Sequence, residues 1–403
     1  MKIKEILKPV IFVLFSLLAV SGVALGACQN NGQNNGQNNS LIGELSTVDV
    51  FHPPTDSSMM PLYNEWHYFN VIDEEQNLSI ICTFKLNGVF NSSSVLLGYD
   101  TGDENSNASF GSYPIGIAEY SSQTPNVTIA NSTVRLTPEG YSVHVESDDG
   151  STVFDALFKP EVEPSPEFNA SGFSTVPGEG INWIVASSKM KVNGELSVNG
   201  KKYILKNERG YHDHNWGYWS WGDDLGWDWG QVTQTKNGLN GNDVGKYSIN
   251  FGNITDAGYT QSLRSVLNIW KNREIAATFN DKEIQIIHSN FIYVNEPVPM
   301  PYLGAYMPAG SFPLPLNTDI LVSSDSGDRL NIEFTTTSEH STPLPVSVPT
   351  IDENGNVTLK YRVIWEMIGT YHVNGEIDGK PVSYVADGFM EYVTGDSVSP
   401  VSQ

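Results

Sequence analysis

The chain has 403 residues, with 46 Asp and Glu against 22 Lys and Arg and a formal net charge of −24. That length exceeds what one hydrophobic core usually organises, so two domains are expected. The acidic balance excludes a sequence-independent grip on phosphate backbones, which needs clustered cations, and no nucleic acid partner is expected.

In chain order, Lys2, Lys4 and Lys8 precede an apolar run from Val10 to Leu25, the pattern of an export signal over residues 1–27. Leu25-Gly26-Ala27-Cys28 reads as a lipobox, with Cys28 as the lipidated residue. A permanently inserted N-terminal helix is the other reading of the apolar run. Either way the protein is expected to be exported and held to the outer face of the cytoplasmic membrane or the cell surface. The tract QNNGQNNGQNNS, within residues 28–44, reads as a tether, because Asn, Gln and Gly cannot build a core. The other cysteine, Cys82 in SIICTFKL, reads as a small buried hydrophobe.

From Glu65 onward, apolar residues recur at period two in short bursts bounded by Gly, Asn, Asp and Pro, which predicts an all-β chain of antiparallel barrels or sandwiches. Tyr141–Glu146 and Thr358–Trp365 are two such strands. Asn193-Gly194, Asn199-Gly200 and Asp378-Gly379 predict hairpin turns, since a type I′ turn needs positive φ. The only helical expectation past the tether is a short turn around Lys271 to Ala277. A Gly- and Asn-rich stretch, QTKNGLNGNDVGK, divides two strand-rich halves, 45–232 and 233–396.

Chemistry concentrates in RGYHDHNWGYWSWGDDLGWDWGQV, residues 209–232, which carries five of the nine tryptophans. Alternation along a strand would put His212, His214, Trp216 and Tyr218 on one face and Tyr211, Asp213 and Asn215 on the other. It would likewise put Glu65, His67 and Phe69 on one face and Trp66 and Tyr68 on the other. Two histidines on one face also suit a metal, which would need a third ligand such as His67 or Glu65.

The stretches EWHYF, GYHDHNWG with WDWGQV, and DGFMEYVTG resemble, in the same order, three segments of the carotenoid 1,2-hydratase (hydroxyneurosporene synthase) family, which includes lipocalin-like proteins and fungal Diels–Alderases. The resemblance implies two lipocalin-like, calycin-type domains. It also implies chemistry without cofactor or metal on an apolar, isoprenoid-like small molecule: an acid protonates an alkene, a pocket shelters the cation and water captures it. Carried over, Asp213, His214 and Trp216 become acid, proton partner and cation-facing ring, with Tyr247 as a further catalytic candidate. Trp66, Tyr68, Tyr211 and Trp229 are the candidate substrate-binding aromatics. Adjacent strand residues point oppositely, so Asp213 and His214 cannot share a pocket without a bulge, and His214 is favoured. Ile249 stands where the family shows an Asp, which weakens hydration specifically and leaves isomerisation, cyclisation or binding open. A non-catalytic lipid or pigment carrier, and a purely structural plug at GYHDHNWG, are the competing readings.

Overall fold

Period-two patterning does become strand. The computed structural model describes residues 35–102, 107–171, 178–219, 225–234, 246–294, 297–300, 305–351, 357–393, 398–399 and 401–402. Within them nearly all regular structure is antiparallel β. Cys28 and Trp221 lie outside the described residues, as does the whole expected export signal. Among the described residues no helix is long and apolar enough to cross a membrane.

Two large sheets follow one another along the chain. The first runs from Asn107–Pro114 through Ser92–Asp100, Leu78–Asn87, Tyr63–Asp73, Lys201–Tyr218, Gly180–Val198 and Thr152–Pro160 to Ala118–Tyr120. It curls into a nearly closed barrel, with the Tyr120 hydroxyl donating to Ser93 Oγ at 2.9 Å across the gap. Its interior is filled by Phe69, Phe84, Leu97, Tyr141, Phe158 and their neighbours. The second sheet centres on Gly226–Thr233, paired with Tyr247–Thr255 on one side and Lys380–Val393 on the other, and continues through Val357–Ile377 and Arg329–Ile351. The Gly226–Thr233 strand thus belongs to the second sheet, although composition had grouped it with the first half of the chain.

Three local expectations are corrected. Residues 35–44, read as tether, belong to a helix, Asn35–Val48, whose Leu41 and Leu45 pack into the first barrel's core. Asn and Gly are poor helix formers, but burial of one apolar stripe outweighs propensity. Lys271 to Ala277 is a hairpin in which Asn272 adopts φ 62° between two strands. Asn193-Gly194 lies inside a strand, where a Cβ on Gly194 would stand 2.1 Å from the Asp155 carbonyl oxygen. Glycine there serves close strand approach. Asn199-Gly200 and Asp378-Gly379 do turn, with positive φ at all four residues.

The sheets are packed face to face through a third cluster that includes Tyr68, Ile81, Trp183, Tyr211, Trp227, Trp229, Ile364 and Phe389. Polar stitches cross the same boundary. Arg209 donates to the carbonyls of Thr233 and Asp387 at 2.8 and 2.9 Å, Gln231 to Asn70 at 3.2 Å and Trp270 to the Glu163 carbonyl at 2.9 Å. Gly252 lies so near Trp183 that a Cβ would stand 2.7 Å from its ring.

Candidate functional site

The Tyr63–Asp73 and Lys201–Tyr218 strands pair without interruption from Tyr63↔Tyr218 to Ile72↔Arg209, with His67 opposite His214 and Tyr68 opposite Asp213. An unbroken ladder keeps strict alternation, so the faces expected from sequence are the faces observed. Glu65, His67, Phe69, His212, His214 and Trp216 point into the first barrel. Trp66, Tyr68, Asn70, Tyr211 and Asp213 point towards the second sheet.

The inward face is organised around Asp49, supplied by the residue that follows the N-terminal helix. Its Oδ1 accepts from His214 Nδ1 at 3.0 Å, and its Oδ2 accepts from His212 Nε2 at 2.9 Å and from the Tyr141 hydroxyl at 2.6 Å. His214 Nε2 reaches Glu65 Oε1 at 2.9 Å, so that imidazole is held between two carboxylates. Glu65 is held in turn by the backbone N–H of His52 and by the Tyr63 hydroxyl. The His67 ring stacks on His214 with centroids 3.9 Å apart, and His52 stacks on Trp216 at 3.7 Å. Burial opposes charge on His214, but hydrogen bonds to Asp49 and Glu65 prevail and raise its pKa to about 9. Burial likewise opposes ionisation of Asp49, yet His212 and His67 hold its carboxyl well below the usual range. The cluster is a compensated set of charges.

The outward face has the opposite character. The Tyr68 hydroxyl donates to Glu366 Oε1 at 2.7 Å, and the Tyr211 hydroxyl donates to Asp213 Oδ2 at 2.8 Å. Trp229 Nε1 and Asn250 Nδ2 reach the Tyr211 oxygen at 3.2 and 3.4 Å. Glu366 and Glu391 are direct cross-strand neighbours, and Trp227 Nε1 donates to Glu391 Oε2 at 2.8 Å. Burial pushes Asp213 up to about 8. Burial first, and the neighbouring Glu391 second, push Glu366 well above the carboxylate range; burial raises Glu391 too. Like charges this close in a desolvated site cannot both ionise, so protons are retained. Lys85, lying 4.8 Å from the centre of the Trp66 ring, acts on Glu391 as a cation, and burial lowers its own pKa to about 8.

A cleft of about 600 Å³ opens between the sheets beside these acids. Ile81, Leu96, Leu344, Ile368 and Phe389 form its apolar part, Asn77, Ser79, Asn107, Glu339 and Thr342 make the rest polar, and Glu366 is part of its lining. Asp100 and His340, one from each sheet, meet across it at 3.0 Å. Cavities of this size suit small organic ligands.

The sequence candidates therefore divide three ways. His214 and Trp216 lie inside the first barrel. Asp213, Trp66, Tyr68, Tyr211 and Trp229 lie between the sheets, with Tyr68 bonded to the cleft's acid. Tyr247 lies in the second sheet's own core, beside Val232 and Phe251, and joins neither group. Asp49, Glu366, Glu391 and Lys85 were not anticipated as site residues. A lone Glu in the apolar burst VIWEMIGTY, and a lone Lys in SIICTFKL, were the available signals. Ionisable residues within a strand that is otherwise buried need a special reason.

No protein-family model matches the chain, and no curated protein does. Solved structures do. A protein of Nitrosomonas europaea assigned as AttH superposes over 87% of this chain and 99% of its own, with TM-score 0.51 and 12% identity. Kievitone hydratase from Nectria haematococca superposes over 88% of this chain and 98% of its own, with TM-score 0.50 and 12% identity. At such identity the likeness is one of fold: two large antiparallel β-sheets packed together, the first curled into a nearly closed barrel.

Proposed function

We propose that the protein binds an apolar, isoprenoid-like small molecule in the cleft between its sheets and acts on it by proton transfer from Glu366. The observation that carries this reading is a buried, protonated carboxyl set beside Ile81, Ile368 and Phe389 in the wall of a cleft whose mouth is polar. Tyr68 donates to Oε1 of Glu366, and the carboxyl also pairs with the neighbouring Glu391 carboxyl, with which it shares a proton. Delivered to an alkene carbon, that proton leaves a carbocation that the face of Phe389 can stabilise. Water adds to the cation and its spare proton returns to the Glu366 carboxylate, which gives hydration; loss of a neighbouring C–H proton to the same carboxylate gives isomerisation. Attack by a second double bond of the same molecule, followed by loss of a C–H proton from the new cation to the Glu366 carboxylate, gives cyclisation. The fold shared with kievitone hydratase is compatible with each outcome.

Asp213 and Tyr211 act from behind as positioning residues, holding Trp229 and, through it, the Tyr68 ring, whose centre lies 5.1 Å from that of Trp229. The location proposed is outside the cytoplasm, with Cys28 as a lipid anchor; the export signal and lipobox support it.

The test is incubation with a panel of acyclic isoprenoids, with products followed by liquid chromatography and mass spectrometry. A product one water heavier, or an isomer of equal mass, is expected from the native protein and not from Glu366→Gln of unchanged melting temperature. Undiminished turnover in that variant would remove Glu366 from the chemistry. An unaltered compound recovered equally from both proteins would make the chain a carrier, the one other reading that the cleft favours.

A further inference from the structure

The histidine cluster inside the first barrel is built beyond what a hydrogen-bonded plug requires. His67 is 2% exposed, and its Nδ1 has no hydrogen-bond partner, although it points at the cluster from 3.6 Å to Asp49 Oδ1. An unpaired buried ring nitrogen is costly and calls for a reason. Asp49, His67 and His214 each offer a ligand atom, and these three atoms lie within 4.8 Å of one another. Donors on a tetrahedral ion, each about 2.0–2.1 Å from the metal, stand about 3.3 Å apart. The two measured separations from Asp49 Oδ1, 3.0 Å to His214 and 3.6 Å to His67, bracket that spacing.

We infer that Asp49, His67 and His214 form a binding site for a divalent transition-metal ion of the zinc type. Two imidazoles and a carboxylate suit such ions and not Mg²⁺ or Ca²⁺, which prefer all-oxygen shells. The surroundings supply what metal ligands characteristically have behind them. Glu65 takes the second ring nitrogen of His214, giving a carboxylate–histidine–metal arrangement. Tyr141 and His212 hold the Asp49 oxygen that faces away from the site, which leaves Oδ1 free to ligate as a single donor. On binding, the proton on His214 Nδ1 leaves to solvent and the metal takes its place between that nitrogen and Asp49. Two ligands come from the barrel wall and one from the N-terminal segment, so the ion pins that segment to the barrel. The site lies on the opposite face of the sheet from Glu366 and stands independently of the chemistry proposed for the cleft.

The experiment uses the full chain, stripped with a chelator and titrated with Co²⁺ and Zn²⁺. One Co²⁺ per chain with the visible bands of a low-coordinate nitrogen–oxygen site is expected, together with a higher melting temperature in Zn²⁺. His67→Ala should lose the bands, and because its Nδ1 makes no hydrogen bond the fold should survive. Tyr141→Phe, which leaves all three ligands in place, should weaken Zn²⁺ binding about 10- to 100-fold. Absence of Co²⁺ bands in the native chain would overturn the assignment. So would unweakened binding in both variants, which would place the metal elsewhere, for instance at the exposed His144, Glu146 and Asp155 group.

Discussion

One strand, Lys201–Tyr218, presents two chemistries a single residue apart. Its inward face, His212 and His214, meets Asp49 and Glu65, and every carboxylate there has an imidazole beside it. Its outward face, Tyr211 and Asp213, joins Glu366 and Glu391, where acids outnumber cations. Asp49 and Asp213 are both fully buried or nearly so, at 0% and 3% exposure, yet their acidities move in opposite directions. Burial alone therefore does not set the protonation state; the partners within a few ångströms do. Inside the barrel charge is kept and neutralised. Between the sheets it is surrendered, and the retained protons become available for chemistry.

The sharpest way to break this contrast is at the two acids that exemplify it. Glu366→Gln should lower turnover of the cleft's substrate by about 10²- to 10⁴-fold, the usual worth of a positioned general acid, with little loss of stability because the amide is already neutral. Asp49→Ala should do the reverse to the fold. It strands His212, His214 and Tyr141 without their common acceptor and should cost about 3–5 kcal/mol in urea unfolding. If Asp49→Ala unfolded at the native urea concentration, the inward cluster would not be the compensated set described here.

A subtler separation comes from pH. The folded pKa of Asp213 is raised by burial, so the folded state holds its proton to higher pH than the unfolded chain does. Its contribution to stability is fully present below the ordinary Asp value of 3.8 and is lost as pH rises through about 8. Asp213→Asn should remove that slope, and the difference between native and variant stability across this window measures it free of the surface acids common to both. A variant that parallels the native protein from pH 4 to pH 8 would show Asp213 ionised. The smallest effect is expected at a surface pair: Lys202→Ala, which breaks the 2.8 Å contact with Glu195 on the same sheet, should change stability by under about 1 kcal/mol. A larger loss there would mean that exposed ion pairs matter more in this acidic protein than burial does.

Much of this arrangement can be read in the sequence. The alternation of EWHYF and GYHDHNWG sorts Trp66 and Tyr68 from His67, and Asp213 from His214, before any coordinates are seen. The hairpin turns at Asn199-Gly200 and Asp378-Gly379 follow from local backbone sterics. What alternation cannot supply is the identity of the element that each face meets. Asp49 comes from a segment whose low-complexity approach hides two core leucines, and Glu366 sits 298 residues from the tyrosine that bonds it. Such meetings depend on long-range packing, for which neither propensity nor periodicity carries a signal. Tyr247 shows the same gap from the other side: a plausible motif position whose strand turns it into the second sheet's core.

The seam between the sheets bears on descent as well as on folding. Gly252 against Trp183, and Arg209 reaching two carbonyls of the opposite sheet, mean that each half completes the other's surface. A half inherited alone would carry an unmatched groove and stranded polar groups. Shuffling one half onto a foreign partner would fail for the same reason, so the two are bound to diverge in step, each change on one face setting the terms for the other.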